Sequence, residues 1–198
     1  MSTMTTTRSQ LLSIPNQLTG LRFVLALVLF ELITVQSWAW CLAVFVAAAV
    51  TDWLDGYIAR LQNQTSSLGR NLDPLVDKVL ICGAYIFLLP EKDSGLHPWM
   101  VTLVVSRELI VTSLRGYLES SGARFGADWL GKLKMGLQCA AVIAIFVVLQ
   151  NIALLSDWSF YCAWLRDALI WAMLMATLLS GLQYLWRAAL LLRPDAAS

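Results

Sequence analysis

Four aspartates within one short stretch have the type and spacing to do chemistry: Asp52, Asp55, Asp73 and Asp77. The chain around them is strongly apolar, and an aspartate at the centre of a membrane helix costs about 2.5–3.5 kcal/mol on insertion scales. Several together therefore indicate a polar cavity, a bound ion or a substrate. Carboxylates are hard ligands that suit Mg²⁺, Mn²⁺ or Ca²⁺, and Mg²⁺ commonly takes one or two carboxylates together with a substrate phosphate.

The first two aspartates fall on one stripe of a predicted helix. At about 100° per residue, Asp52 and Asp55 share this stripe with Gly56 and Ala59, and Arg60 lies at its edge. Because the two small residues leave room beside the carboxylates, a nucleotide or pyrophosphate fits against the backbone there. The positive charge of the arginine can balance the negative charge of such a ligand.

The other two aspartates also share a helix face, because Asp73 and Asp77 are four positions apart. The turn-prone residues 62–71, QNQTSSLGRN, can fold this face toward the first one, which predicts a cluster of four carboxylates. A plainer interpretation exists for Asp73. It precedes Pro74, so it also fits an N-cap followed by proline at the first helical position.

The whole stretch resembles the signature of the CDP-alcohol phosphotransferases, D-x2-D-G-x2-A-R-x8-G-x3-D-x3-D. The matching residues are Asp52, Asp55, Gly56, Ala59, Arg60, Gly69, Asp73 and Asp77. The resemblance implies an integral membrane enzyme that uses Mg²⁺ or Mn²⁺ to displace CMP from a CDP-linked alcohol or lipid. It also implies that the four aspartates bind metal, that Asp77 acts as general base, and that the remaining residues enclose the nucleotide.

An upstream segment, P-N-x-L-T-x-x-R from Pro15 to Arg22, matches the family pattern for the cytosolic start of the first helix. By resemblance, Asn16 and Thr19 are further candidates for nucleotide binding, with Arg22 beside them. The alternative is a helix cap followed by an arginine that reaches toward water.

Composition describes a membrane protein rather than a soluble domain. Of 198 residues, 59% are hydrophobic and 14% charged, with a mean hydropathy of +0.68. The net charge of +1 gives no reason to expect a nucleic-acid partner. The four cysteines lie apart in apolar stretches, and His97 is the only histidine, which argues against zinc sites and histidine-based catalysis.

The apolar runs predict an all-α, polytopic protein with six transmembrane helices, at about 18–35, 38–61, 73–89, 99–119, 130–155 and 160–192. The third is expected to start earlier than 73 or to be embedded among other helices, since 75–90 is shorter than the about 20 residues of a span. We expect one catalytic domain over 14–193, with tails at 1–13 and 194–198. All Lys and Arg residues except Lys92 and Arg166 fall on one face, which predicts a cytosolic active site.

Two later segments, VSRELIVTSLR and WLGKLK, resemble the S-R-E-x5-L-R and W-x-G-K-x-K patterns of bacterial phosphatidylglycerophosphate synthases. That resemblance implies CDP-diacylglycerol and glycerol 3-phosphate as substrates, and a bacterial inner-membrane location. A phosphate dianion needs fixed cations. The candidates are Arg107, Arg115, Lys132 and Lys134. Gly116 and Met135 depart from residues frequent in those enzymes.

Several alternatives stay open at this stage. The four basic residues also suit positive-inside topology with snorkelling side chains. The same chemistry could serve inositol, inositol phosphate, serine or phosphatidylglycerol as acceptor. A cation transporter could use the same aspartates, although its polar residues would trace a path through the bilayer instead of gathering on one side. A homodimer is expected from the family resemblance alone.

Overall fold

In a computed structural model, the chain is described over residues 14–62, 67–120, 129–153 and 159–191, with side chains over 17, 19–51, 75–118, 129–150 and 160–190. Six α-helices and one short 3₁₀-helix account for most of these residues, and no strand occurs among them. The all-α prediction is therefore confirmed for the described ranges. The predicted tails, 1–13 and 194–198, lie outside them.

The helices follow the predicted order along the chain. They are α1 (Ile14–Thr34), α2 (Trp38–Gln62), α3 (Ser67–Leu88), α4 (Pro98–Ser120), α5 (Trp129–Ala153) and α6 (Ser159–Leu191), with the 3₁₀-helix at Lys92–Ser94. The start of α1 lies earlier than predicted, since the helix includes Pro15 in its first turn. A missing N–H has no cost there.

The start of α3 corrects one interpretation of the aspartate stretch. The helix begins at Ser67, so Asp73 and Pro74 lie inside it, and the N-cap interpretation of Asp73 is wrong. Residues 67–71 of the predicted turn are helical as well. The expectation that this helix starts before 73 is confirmed. Its 22 residues supply the length that the segment after Pro74 lacks.

The structure divides into two compact units, Met1–Pro90 and Glu91–Ser198. In the first unit α1 packs against both α2 and α3. Its buried stripe recurs at helical spacing through Arg22, Ala26, Leu29 and Ile33. The stripe is therefore apolar from Ala26 to Ile33 and carries a buried cation at Arg22.

In the second unit α6 packs against α5 and α4, and the 3₁₀-helix packs against α5. The buried stripe of α6 also changes in character along its length. Ile170 and Met173 are apolar, whereas Thr177, Ser180 and Tyr184 carry hydroxyls. Each hydroxyl lies three or four positions from the next, so all of them face the same side of the helix.

Among the described residues, two segments are long and apolar enough to cross a membrane, Trp129–Gln150 in α5 and Phe160–Leu190 in α6. Trp38–Thr51 in α2 is apolar but shorter. Large apolar side chains are exposed on α6, among them Trp164 and Leu182. Such surface is unusual on a soluble protein and typical of contact with lipid or a partner.

Candidate functional site

The four predicted aspartates lie on two helices of the first unit. Asp52 and Asp55 are near the C-terminal end of α2, and Asp73 and Asp77 are within α3. Their spacing places each pair on one helix face, as predicted. Of these four side chains, only that of Asp77 lies among the described residues.

The predicted nucleotide-binding residues are distributed over the same unit. Gly56, Ala59 and Arg60 are in α2, Gly69 is in α3 and Asn16 is in the first turn of α1. Their side chains fall outside the described residues, so their contact with a nucleotide stays a prediction.

Thr19, the other nucleotide candidate, is described and is buried in α1, one turn before Arg22. A buried hydroxyl at this place fits a contact inside the protein as well as an enclosed ligand. Its predicted role therefore also stays a prediction.

Asp77 forms an ion pair with Arg22 of α1. The guanidinium NH1 donates to Oδ1 across 2.7 Å. The arginine side chain is 1% exposed, and the carboxylate is 24% exposed. Arg22 is thus buried in a pair rather than reaching toward water. Because the pair joins two helices, it fixes the position of Asp77 while leaving part of the carboxylate accessible.

A second charged group lies in the other unit, centred on the buried Glu108 of α4. Its Oε1 accepts hydrogen bonds from Nζ of Lys134 in α5 and from NH1 of Arg107 across 3.2 Å. Both cations are almost fully buried. Interactions among such groups are strong because little water screens them.

Arg107 also contacts α6. Its NH2 donates to Oγ of Ser180 across 3.0 Å, and that hydroxyl donates to the carbonyl of Thr177 across 3.1 Å. The arginine side chain is 10% exposed. Its Nε is buried and has no hydrogen-bond partner among the described residues. A buried donor without an acceptor is costly, so this N–H lacks an acceptor that a bound ligand could supply.

Arg115, two turns further along α4, also contacts α6. Its NH2 donates to the hydroxyl of Tyr184, and its guanidinium carbon lies 5.5 Å from the centre of that ring. The guanidinium of Arg107 is 5.9 Å from the same ring. Three of the four predicted phosphate-binding residues therefore contact a neighbouring helix of their own unit: Arg107 and Arg115 of α4 contact α6, and Lys134 of α5 contacts α4.

Lys132, the fourth of these residues, is on α5 two positions before Lys134 and is exposed. Two positions correspond to about 200° around a helix, so the two lysines point to different sides. Snorkelling describes Lys132 well, but it does not describe the buried Lys134.

Sequence reasoning assigned no role to α6. Ser180 and Tyr184 contact the predicted arginines although no motif marks them. A signal was present, since polar residues interrupt an otherwise apolar membrane-type helix at spacings of three and four. Which element they face could not be read from that spacing.

A divalent cation, implied by the resemblance, would need oxygen ligands. Among the described side chains no group of three His, Cys, Asp or Glu could hold a metal. The aspartates of α2 and α3 fit by their chemistry, since they are hard ligands in two helix-spaced pairs. Asp77 is the described member, and its partial exposure leaves an edge on which a cation could bind.

Known proteins are similar to this chain over most of its length. Residues 12–179 match the CDP-alcohol phosphatidyltransferase family. The chain is 39% identical over 142 residues to a CDP-diacylglycerol–glycerol-3-phosphate 3-phosphatidyltransferase of Bacillus subtilis, covering 71% of this chain and 68% of that protein. Proteins of the same name from Yersinia enterocolitica and Cereibacter sphaeroides are 33% and 32% identical, covering 76% and 89% of this chain and 92% and 95% of theirs. The chain belongs to the CDP-alcohol phosphatidyltransferase family.

Proposed function

We propose that this protein transfers the phosphatidyl group of CDP-diacylglycerol to sn-glycerol 3-phosphate. A hydroxyl oxygen of the acceptor attacks the phosphorus that carries the diacylglycerol. The bond from that phosphorus to CMP breaks, CMP leaves, and phosphatidylglycerophosphate forms. Family membership supports the reaction class, and the names of the three relatives support the acceptor.

The observation that carries the acceptor assignment is the buried Nε of Arg107, which has no partner among the described residues. A phosphate oxygen would satisfy this donor. Arg107, Arg115 and Lys134 supply three positive charges against the one carboxylate of Glu108, so the group has an excess of two. A phosphate dianion matches this excess, whereas neutral inositol or zwitterionic serine does not.

The donor substrate would be served by the aspartates and their small neighbours. Asp52, Asp55, Asp73 and Asp77 would hold Mg²⁺ or Mn²⁺, which when bound supplies positive charge to the pyrophosphate and to the departing CMP. Gly56, Ala59 and Gly69 would leave room for the nucleotide, and Arg60, Asn16 and Thr19 would bind it.

Asp77 has a second proposed role, as the general base that takes the proton of the acceptor hydroxyl. The Arg22 pair supports this role by fixing the carboxylate while leaving it partly accessible. Ligand and base are both compatible with this geometry, and near wild-type CMP release by Asp77→Asn would exclude an essential base at this position. An essential base predicts that CMP release falls at least about 100-fold.

We propose that all six helices span a bacterial inner membrane and that the aspartates face the cytosol. The charges of α4 do not prevent this, because Arg107 and Glu108 are paired with partners in their own unit. Apolar side chains of α1, among them Val24 and Leu27, are exposed as lipid contact requires. A homodimer is proposed from the family resemblance.

The test is CMP release by purified protein in detergent with CDP-diacylglycerol and Mg²⁺. Glycerol 3-phosphate, inositol phosphate, inositol and serine are compared as acceptors, with a chelator as control. We expect metal-dependent release with glycerol 3-phosphate only. Release with inositol phosphate alone would keep the phosphate site and change the acceptor. Release with inositol or serine alone would contradict the charge argument, and no release with any acceptor would contradict the transferase.

A further inference from the structure

We propose that Ser180, Gly181 and Tyr184 of α6 position the two arginines of α4 for the acceptor phosphate. The inference rests on the proposed function and adds residues that no motif marks. All three lie beyond residue 179, where the match to the family ends. They are positioning residues, because they contact the arginines and are not required to touch the substrate.

Tyr184 makes two kinds of contact with the cations. Its hydroxyl accepts a hydrogen bond from Arg115, and its ring lies within 6 Å of both guanidinium carbons, at 5.5 Å and 5.9 Å. This is the range of a cation–π interaction. The ring is buried while Arg115 itself is exposed. One rigid aromatic side chain therefore restrains two long, flexible ones.

Ser180 and Gly181 restrain Arg107 in a different way. Ser180 accepts a hydrogen bond from NH2, which fixes the far end of the side chain. A Cβ at Gly181 would lie 3.3 Å from Cγ of Arg107, tighter than ordinary packing, so glycine lets the stem of the arginine pass close to α6. Together they direct the unpartnered Nε to one place.

These contacts reduce the side-chain entropy that the two arginines lose when the acceptor binds. An arginine that is free to change rotamer loses conformational entropy when a ligand immobilises it, and this loss weakens binding. Here α6 orders both arginines before the acceptor arrives. Loss of these contacts should therefore weaken binding of the acceptor and leave binding of CDP-diacylglycerol unchanged, because CDP-diacylglycerol is assigned to residues of the other unit.

The experiment compares Tyr184→Phe with the wild-type protein, measuring KM for each substrate, kcat and the thermal unfolding midpoint in detergent. The variant removes the hydroxyl and keeps the ring. We expect KM for glycerol 3-phosphate to rise about fivefold to tenfold, as for loss of one hydrogen bond of ordinary strength. KM for CDP-diacylglycerol and the unfolding midpoint should stay near wild type. Tyr161→Phe, an exposed position on the same helix, is the matched control.

Gly181→Ala provides a second variant, whose added methyl group presses on Arg107. It should raise the same KM without changing KM for CDP-diacylglycerol. A fall in unfolding midpoint with both KM values shifted together would show a structural role and overturn the inference. So would an unchanged KM for glycerol 3-phosphate in both variants, provided the wild-type protein uses this acceptor. A wild-type protein that does not use it would overturn the proposed function, and the inference with it.

Discussion

Arg22 and Arg107 are two nearly buried arginines, one in each compact unit, and each is bound to a carboxylate. Removing a charge from water is costly unless it is paired, and the pair seldom stabilises the fold more than apolar packing would. Charges retained in this way inside a membrane protein usually serve function. Arg22 fixes Asp77, whereas Arg107 keeps a buried Nε–H that has no acceptor among the described residues.

The first prediction concerns the ion pair of Arg22. Arg22→Met should destabilise the protein by about 2 kcal/mol, less than for a fully buried pair, because Asp77 keeps partial contact with solvent. The unfolding midpoint in detergent should fall by several degrees. The double variant Arg22→Met with Asp77→Asn should recover part of this loss, since the carboxylate left without its arginine is removed. A double variant no more stable than Arg22→Met would contradict the pairing.

Residue types and spacing single out the four aspartates as candidates, because their signal lies within one short stretch. The partner of Asp77 could not be found in this way. Arg22 is 55 positions away in the chain, and nothing local distinguishes a buried arginine from one that reaches toward water. The pairing of Glu108 with Lys134, 26 positions away in the chain, could not be predicted for the same reason.

At the scale of elements, close packing of α1 against α3 depends on Gly83. A Cβ at this position would overlap the ring of Phe30. That ring stacks on Phe87, with centroids 4.8 Å apart and planes 6° from parallel. The glycine therefore makes room for an aromatic pair that bridges the two helices carrying Arg22 and Asp77.

The second prediction follows from this packing. Gly83→Ala should destabilise the protein by about 1 kcal/mol, because the Phe30 ring must move or α1 must shift. Gly136→Ala in α5 is the matched control. A Cβ there would meet nothing within 4 Å, so its unfolding midpoint should stay equal or rise with the better helix propensity of alanine. Equal midpoints for both variants would show that Gly83 does not control this contact.

Helix bounds were predictable to within a few residues wherever an apolar run met a polar loop. The start of α3 was harder to place, because Pro74 and the polar residues before it are typical of a turn but lie in a helix. The contacts of α6 with the arginines of α4 were not predictable at all. Helical spacing shows which residues share a face and leaves open which neighbour they meet.

At the scale of the whole molecule, charge distribution predicts orientation. Lys92, in the 3₁₀-helix between α3 and α4, should lie outside the cytosol, whereas Trp129, at the start of α5, should lie at the cytosolic face. The third prediction uses single cysteines at these positions, with the four native cysteines replaced by alanine. A membrane-impermeant maleimide should label position 92 in intact cells and position 129 only after permeabilisation. The reverse pattern would place the aspartates on the wrong side for cytosolic nucleotides.

Following the acceptor itself tests the proposed transfer to glycerol 3-phosphate most directly. Purified protein is incubated with radiolabelled glycerol 3-phosphate, CDP-diacylglycerol and Mg²⁺, and the label is counted in the solvent-extracted lipid. We expect label to enter lipid in step with CMP release, and omission of CDP-diacylglycerol or addition of chelator to abolish both. Label that stays in the aqueous phase while CMP is released would contradict glycerol 3-phosphate as the acceptor.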